Sequence, residues 1–309
     1  TLFPYTTLFR SSDLLAPRQW DEIAVRLGQP VSEATLPWLP FKENMIACPE
    51  DLKVLFTGQA PLPRVVRNRF RRFEETGEEV HGTTWLGREA CLGSASIASC
   101  WHQAHPVIGY WKTTGKPAVV RARVLKDGHD FASFGLRSVQ QDGRVLIAAY
   151  PILGMGDTHP SVDRSPTGYA GQELIFRLEV TGPGARVQNL DDGRIALVCE
   201  DFKVIVTTGP CRFDGQDVSK QWNGGDVQGS QASVDLALPL KGHIAPEALQ
   251  ETLLTAALSL VPTAEAEVAP APVVWEGPGS AGAGSQADAM CNLTWGALHL
   301  AAPTRPAIR

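Results

Sequence analysis

Two stretches of the chain alternate apolar and polar residues at period two. Val119, Arg121 and Arg123 oppose Val120, Ala122 and Val124, and Leu174, Phe176, Leu178 and Val180 alternate with Glu173, Ile175, Arg177 and Glu179. Successive side chains of an extended chain point to opposite faces, so this pattern predicts strands with one buried and one polar face. Leu174, Phe176, Leu178 and Val180 are expected inward, with Glu173, Arg177 and Glu179 on the other face and Ile175 covered by a neighbouring element. Turn signals at Lys126 to Gly128, Asp142 and Gly143, Gly182 to Gly184 and Asp191 to Gly193 favour hairpins over crossover helices. Roughly a dozen strands fit between Val80 and Leu240, more than a seven-stranded immunoglobulin-like domain uses. The predicted fold class is mainly β, a large antiparallel β-sandwich.

Helical periodicity is expected at both ends of this region. Trp20, Ile23, Ala24 and Leu27 follow Pro17 at helical spacing and stop at Gly28, Pro49 opens a short stretch ending near Gly58, and Val66, Phe70 and Phe73 predict a helix over Arg64 to Glu75. Residues 12–78 then read as the helical tail of a truncated upstream domain. The sandwich is placed at residues 79–309, with one late helix at 246–260 carrying Leu249, Leu253, Ala256, Ala257 and Leu260 on one face. Glu276 to Asp288 reads as a Gly/Ser/Ala loop and Asn292 to Leu300 as a last strand.

Residues 1–11, TLFPYTTLFRS, match a widely used sequencing adapter translated in one frame. They are set aside from fold reasoning, and the natural sequence is expected to begin near Ser12 or Asp13, with any leader or upstream domain lost. The 309 residues are 43% hydrophobic, enough for a sizeable core, and 29 glycines with 23 prolines agree with many turns. No run approaches the roughly 20 apolar residues of a membrane helix. A net charge of -5 argues against nucleic acid as a partner. Six cysteines without a CxxC pair do not make a zinc site or a small disulfide scaffold. Neither a metal nor a cofactor is named by the sequence, and no phosphate loop, GxSxG or HExxH motif occurs.

Candidate chemistry concentrates in SCWHQAHPVIGYWK, Ser99 to Lys112. If that stretch is extended, Trp101, Gln103 and His105 share one face, an aromatic plane beside two hydrogen-bonding groups, which suits a sugar ring. The same residues also fit a plain aromatic core of Trp101, Tyr110 and Trp111 with His102 in solvent. In GMGDTHPSVDR, Asp157, His159 and Asp163 could ligate a cation and Arg164 could meet an anion, although ordinary turn chemistry accounts for the same residues. His129 and Asp130 read as a capped hairpin turn or a catalytic loop. Arg64, Arg67, Arg69, Arg71 and Arg72 could grip a polymer bearing carboxylates or sulfates, or form a solvated face.

TTWLGREACLGSAS (Thr83 to Ser96), WHQAHPVIGYW (Trp101 to Trp111) and the long run of strands after a helical segment resemble, over roughly residues 60–260, the C-terminal half of heparinase-like polysaccharide lyases. The resemblance implies a supersandwich-like β domain whose (α/α) toroid partner is mostly missing, and secretion or a periplasmic location. It implies cleavage of uronate-containing polymers by β-elimination, with His105 and Tyr110 as base and acid. Trp101, Gln103, Arg164, Arg67 and Arg71 would bind the polysaccharide or oligosaccharide substrate. The fragment alone is expected to be inactive. A non-catalytic carbohydrate-binding or structural β-sandwich module and a glycoside hydrolase fragment are the alternatives; a hydrolase needs two facing carboxylates roughly 5–10 Å apart.

Overall fold

The structure, a computed structural model, describes residues 61–71, 79–98, 106–131, 134–152, 171–190, 192, 194–227, 230–240, 252–265, 271–278 and 290–303. The chain divides into two compact units, Thr1–Pro61 and Leu62–Arg309, and every described strand belongs to the second. In chain order the strands are β1 (Arg64–Arg71), β2 (Glu79–Leu86), β3 (Ala90–Ala95), β4 (Ile97–Ala98), β5 (Val107–Trp111), β6 (Ala118–Lys126) and β7 (His129–Asp130). Then follow β8 (Phe134–Gln141), β9 (Arg144–Pro151), β10 (Glu173–Thr181), β11 (Arg186–Asn189), β12 (Ile195–Cys199), β13 (Phe202–Thr208) and β14 (Arg212–Phe213). The last are β15 (Gln216–Asp217), β16 (Trp222–Val227), β17 (Gln231–Pro239), β18 (Leu254–Pro262), β19 (Val274–Pro278), β20 (Met290–Trp295) and β21 (Leu298–Pro303).

Two large antiparallel sheets carry the fold, as the alternation and the turn signals predict. The first runs β1-β2-β3-β5-β6-β10-β17-β16, with β7 folded back on β6, and the second runs β11-β12-β13-β18-β9-β8-β4. The β6–β7 hairpin turns at Asp127 and Gly128, both at positive φ (49° and 84°), the backbone that matches the twist of paired strands. Leu174, Phe176, Leu178 and Val180 of β10 are buried in the core between the sheets with Val204, Val206, Leu254 and Leu258. Ile175, on the opposite face, is covered as expected, at 9% exposed. Phe176 is fully buried, a stabilisation of about 2–3 kcal/mol relative to exposure.

Polar side chains tie the sheets together where β3 and β5 approach β8 and β12. The Trp111 indole N–H donates to the Cys199 carbonyl at 3.0 Å, Ser138 Oγ donates to the Ala95 carbonyl at 2.8 Å, and Gln140 Nε2 donates to the Leu92 carbonyl at 2.8 Å. Each donor comes from one sheet and each acceptor from the other, so a slip of either sheet leaves buried groups unpaired.

A smaller third sheet, β19-β20-β21, adds a layer outside the second. Cys291, Leu293, Trp295, Leu298 and Leu300 of its hairpin form one apolar cluster with Leu146, Ala148, Tyr150, Leu253 and Ala257. The second sheet is thus apolar on both faces around β9 and β18.

Both helices expected within the described residues are strands. Arg64 to Arg71 pairs residue by residue with β2, so the sandwich begins upstream of residue 79. Val66 and Phe70 are four apart, a spacing that fits one helix face and one strand face equally, and their β-branched and aromatic character favours the strand. The late helix fails over Leu254 to Leu260, which is β18. There both sheet faces are covered, and an unbroken apolar run carries no period to tell strand from helix. The last strand expected over Asn292 to Leu300 is a hairpin, turning at Gly296 with φ 58°.

Candidate functional site

Many of the residues singled out by sequence lie outside the described residues: Trp101, His102, Gln103, His105, Asp157, His159, Asp163, Arg164 and Arg72. Tyr110 is on β5, 43% exposed, on the face opposite the buried Trp111, and its cross-strand neighbours are Cys91 and Val119. Arg67 is exposed on β1 and pairs in register with Thr83, which pairs with Ser94. That register puts Arg67 on the same side of the sheet as Trp111, so Arg67 and Tyr110 belong to opposite faces and do not form one site. Arg71 ends β1, opposite Glu79. The strand also divides the arginine cluster that a helix would have gathered: Arg64 alternates away from Arg67 and Arg69, and Arg69 meets Glu79 at 3.5 Å. Among the described residues no group of three or more His, Cys, Asp or Glu is placed to hold a metal ion.

The structure instead opens a cavity of about 770 Å³ that the sequence did not announce. Trp85, Phe202, Ile205 and Leu260 line it together with Trp295 from the third sheet, and Arg88, Glu89, Asp142, Arg144, Arg194 and Glu265 supply its charges. Three tight connections shape it. The β2–β3 turn closes with the Gly87 N–H donating to the Ala90 carbonyl at 2.8 Å, and a Cβ on Gly87 would sit 2.9 Å from the Trp85 ring, so only glycine lets the indole lie over the turn. At the β8–β9 turn, the Leu260 N–H donates to the Gly143 carbonyl at 2.9 Å. The β20–β21 turn at Gly296 presents Trp295.

The electrostatics of this cavity are balanced. Arg194 is held by Asp192 at 2.6 Å, and that hydrogen bond keeps the exposed Asp192 carboxyl below the usual carboxylate range. Arg88, Arg144, Glu89, Asp142 and Glu265 are exposed. Trp295 is only 5% exposed, and its indole Nε1 is buried without a hydrogen-bond partner. Buried indole donors normally find an acceptor; this one has none and is closed off from the cavity as well as from solvent. The sequence holds one weak signal: Trp85 stands directly before the Leu-Gly-Arg-Glu turn, and Asp142 and Gly143 carry a turn signal.

A second concentration of charge lies on the outer face of the first sheet. Arg123 grips Asp130 through two hydrogen bonds of 2.9 Å, and Arg177 grips Asp235 at 2.9 and 2.6 Å. Glu179, 2% exposed, is reached by Arg123 at 3.4 Å, by Arg121 at 3.7 Å and by the Gln231 amide at 3.0 Å. Hydrogen bonds to Asp130 and Asp235 push the Arg123 and Arg177 guanidiniums above their usual pKa. Three cations meet three carboxylates here, and the fork geometry spends the Arg123 and Arg177 donors internally. This cluster braces β6, β10 and β17 and leaves no catalytic acid or base free. Two of the buried thiols are poor nucleophiles: burial pushes Cys211 and Cys291 up to about 12.

Comparison with protein-family models, with curated proteins and with solved structures found no match to this chain.

Proposed function

We propose that the chain is a carbohydrate-binding β-sandwich of a carbohydrate-active protein, and that the cavity lined by Trp85 and Trp295 receives an oligosaccharide. The observation that carries this reading is the half-buried Trp85 indole beside several exposed hydrogen-bonding side chains in one cavity, with the buried Trp295 closing its wall. Indole faces stack on the apolar C–H faces of sugar rings, while guanidinium and carboxylate groups donate to and accept from hydroxyls. A volume of about 770 Å³ lies inside the roughly 300–1,000 Å³ of small-ligand sites. Cleavage of a uronate polymer by β-elimination is the second reading, and it rests on the resemblance to heparinase-like lyases. Of its two proposed proton-transfer groups, His105 lies outside the described residues, and Tyr110 faces away from the core side of its sheet.

Isothermal titration of the full chain with neutral and uronate oligosaccharides tests the proposal. Binding is expected, with at least a tenfold loss of affinity in Trp85→Ala. Because Trp85 packs partly on the core, Arg144→Gln serves as a second variant at an exposed position, with a smaller loss expected. Absence of binding to either class overturns the reading, as does unchanged affinity in both variants. A rise in ultraviolet absorbance from unsaturated product would put the lyase reading first.

A further inference from the structure

We infer that the open edge of β1 takes an extended acidic peptide as an added strand, at a site separate from the cavity and independent of its carbohydrate reading. β1 ends the strand order of the first sheet: it pairs with β2 on one side, and among the described residues no strand pairs with its other side. Arg64, Val66, Arg67, Asn68 and Arg69 are exposed, and they include positions on both faces, so neither face of the strand is covered. The opposite edge of the same sheet is crowded, because β16 approaches β11 of the second sheet and a Cβ on Gly224 would come within 2.8 Å of the Val187 side chain. Exposed edges template further strands through their unpaired N–H and C=O groups, and proteins commonly blunt them with a proline, a bulge or a very short strand. β1 is eight residues long, holds no proline and keeps an unbroken register with β2.

Charge selects the occupant. Arg67 and Arg69 share one face of the strand, about 7 Å apart, and Arg64 lies on the other. Across β2 the sole carboxylate is Glu79, which meets Arg69 at 3.5 Å with the two side chains 68% and 38% exposed, and a pair that open to water holds neither partner firmly. Among the described residues Arg64 and Arg67 have no ion-pair partner. A second copy of the chain is disfavoured as the occupant. Antiparallel pairing of two β1 strands centred on Arg67 sets that residue against itself, and centring on Asn68 sets Arg67 against Arg69; like charges directly opposite are destabilising. A strand with carboxylates at alternate positions reverses the sign. Its main chain pairs with the open edge, and its Asp or Glu side chains stand across from Arg67 and Arg69, where a guanidinium takes a carboxylate through two parallel hydrogen bonds.

The test is fluorescence anisotropy of the full chain with a labelled, capped peptide that alternates threonine and glutamate over eight residues, the length of β1. The controls are its counterpart with lysine in place of glutamate and two versions N-methylated on alternate residues, one on the threonine set and one on the glutamate set. The glutamate peptide is expected to bind and the lysine peptide not to. An added strand turns only one of its edges toward β1, so methylation of one set should abolish binding while methylation of the other leaves it in place. The double variant Arg67→Glu with Arg69→Glu should lower the affinity at least about tenfold, with an unchanged circular dichroism spectrum because both positions are exposed. Hexagalacturonate carries carboxylates and no amide groups, and should displace the peptide far less readily than the unlabelled peptide does. No binding of the glutamate peptide overturns the inference, as does equal binding of the lysine peptide or unchanged affinity in the double variant. Binding that survives both methylations, or displacement by hexagalacturonate as ready as by the peptide itself, would show general attraction of polyanions and overturns strand addition.

Discussion

On the first large sheet the residues facing away from the main core include Arg121, Arg123, Arg177, Glu179 and Asp235; on the second they include Leu146, Ala148, Tyr150 and Ala257. Both faces contain residues withdrawn from water. The second sheet achieves this by adding a layer, the β19-β20-β21 hairpin sheet, which covers apolar side chains with apolar side chains. The first achieves it with arginine forks laid over a carboxylate, Glu179, that is only 2% exposed. The two solutions have different energetics. Apolar cover contributes in proportion to area and tolerates reshaping, whereas a desolvated ion cluster contributes little net stability when intact and costs much when one member is removed.

The largest effect is expected on the apolar side. Leu146 is fully buried beneath the third sheet, and Leu146→Ala should cost about 3 kcal/mol within the roughly 2–5 kcal/mol range of such truncations. Chemical denaturation followed by tryptophan fluorescence measures it. If the third sheet is held by this cluster, the Cys291 thiol should also become accessible to a thiol reagent before global unfolding. A cost under about 1 kcal/mol would mean that the third sheet is not stabilised from this cluster.

The next effect belongs to the charged face. Glu179→Gln keeps the shape of the side chain and leaves Arg121 and Arg123 without their shared carboxylate. A fully buried pair loses about 3–5 kcal/mol when broken, but solvent reaches part of both arginine side chains, 36% for Arg121 and 25% for Arg123. About 2 kcal/mol is therefore expected from urea denaturation. A loss as large as that of Leu146→Ala would erase the difference drawn between the two faces. No loss at all would show that the cluster is ornamental to stability.

This contrast also explains what could be read from the sequence. β6 and β10 were legible because the first sheet is apolar on one side and charged on the other, which writes a period of two into Val120, Ala122 and Val124 or Leu174 to Val180. β18 was misread because the third sheet makes its second face apolar too, and LLTAALSLV keeps no alternation. β1 was misread because Val66 and Phe70 satisfy both periods. Of the candidate site, Trp85 and Trp295 come from opposite ends of the strand order and meet only through packing, so no local motif joins them. Tyr110 was legible as an aromatic on a strand; its separation from Arg67 depends on the register of β1, β2, β3 and β5, which alternation alone does not specify.

The smallest effect compares the interior of the sandwich with the accessible face of its first sheet through their cysteines. Cys211 is fully buried in the main core, with the Thr255 N–H donating to its sulfur at 3.1 Å, whereas Cys91 is half-buried beside Tyr110. Burial pushes the Cys211 thiol from the usual 9.0 up to about 12. The folded state therefore holds this proton to higher pH than the unfolded state does. Stability tied to the neutral thiol is fully present below pH 9 and is lost as pH rises from about 9 towards 12. By pH 10 the loss should reach about 1 kcal/mol. Urea midpoints of the native chain and of Cys211→Ala, taken at pH 8, 9 and 10, isolate this contribution from that of Cys291, which titrates in the same range in both proteins. The two curves should converge as pH rises, because only the native chain loses the Cys211 contribution, and curves that stay parallel would place the thiol in a wetter site than the core. At pH 8 a thiol reagent should modify Cys91 in the folded protein and reach Cys211 only after unfolding, since reaction needs both the thiolate and a path to it.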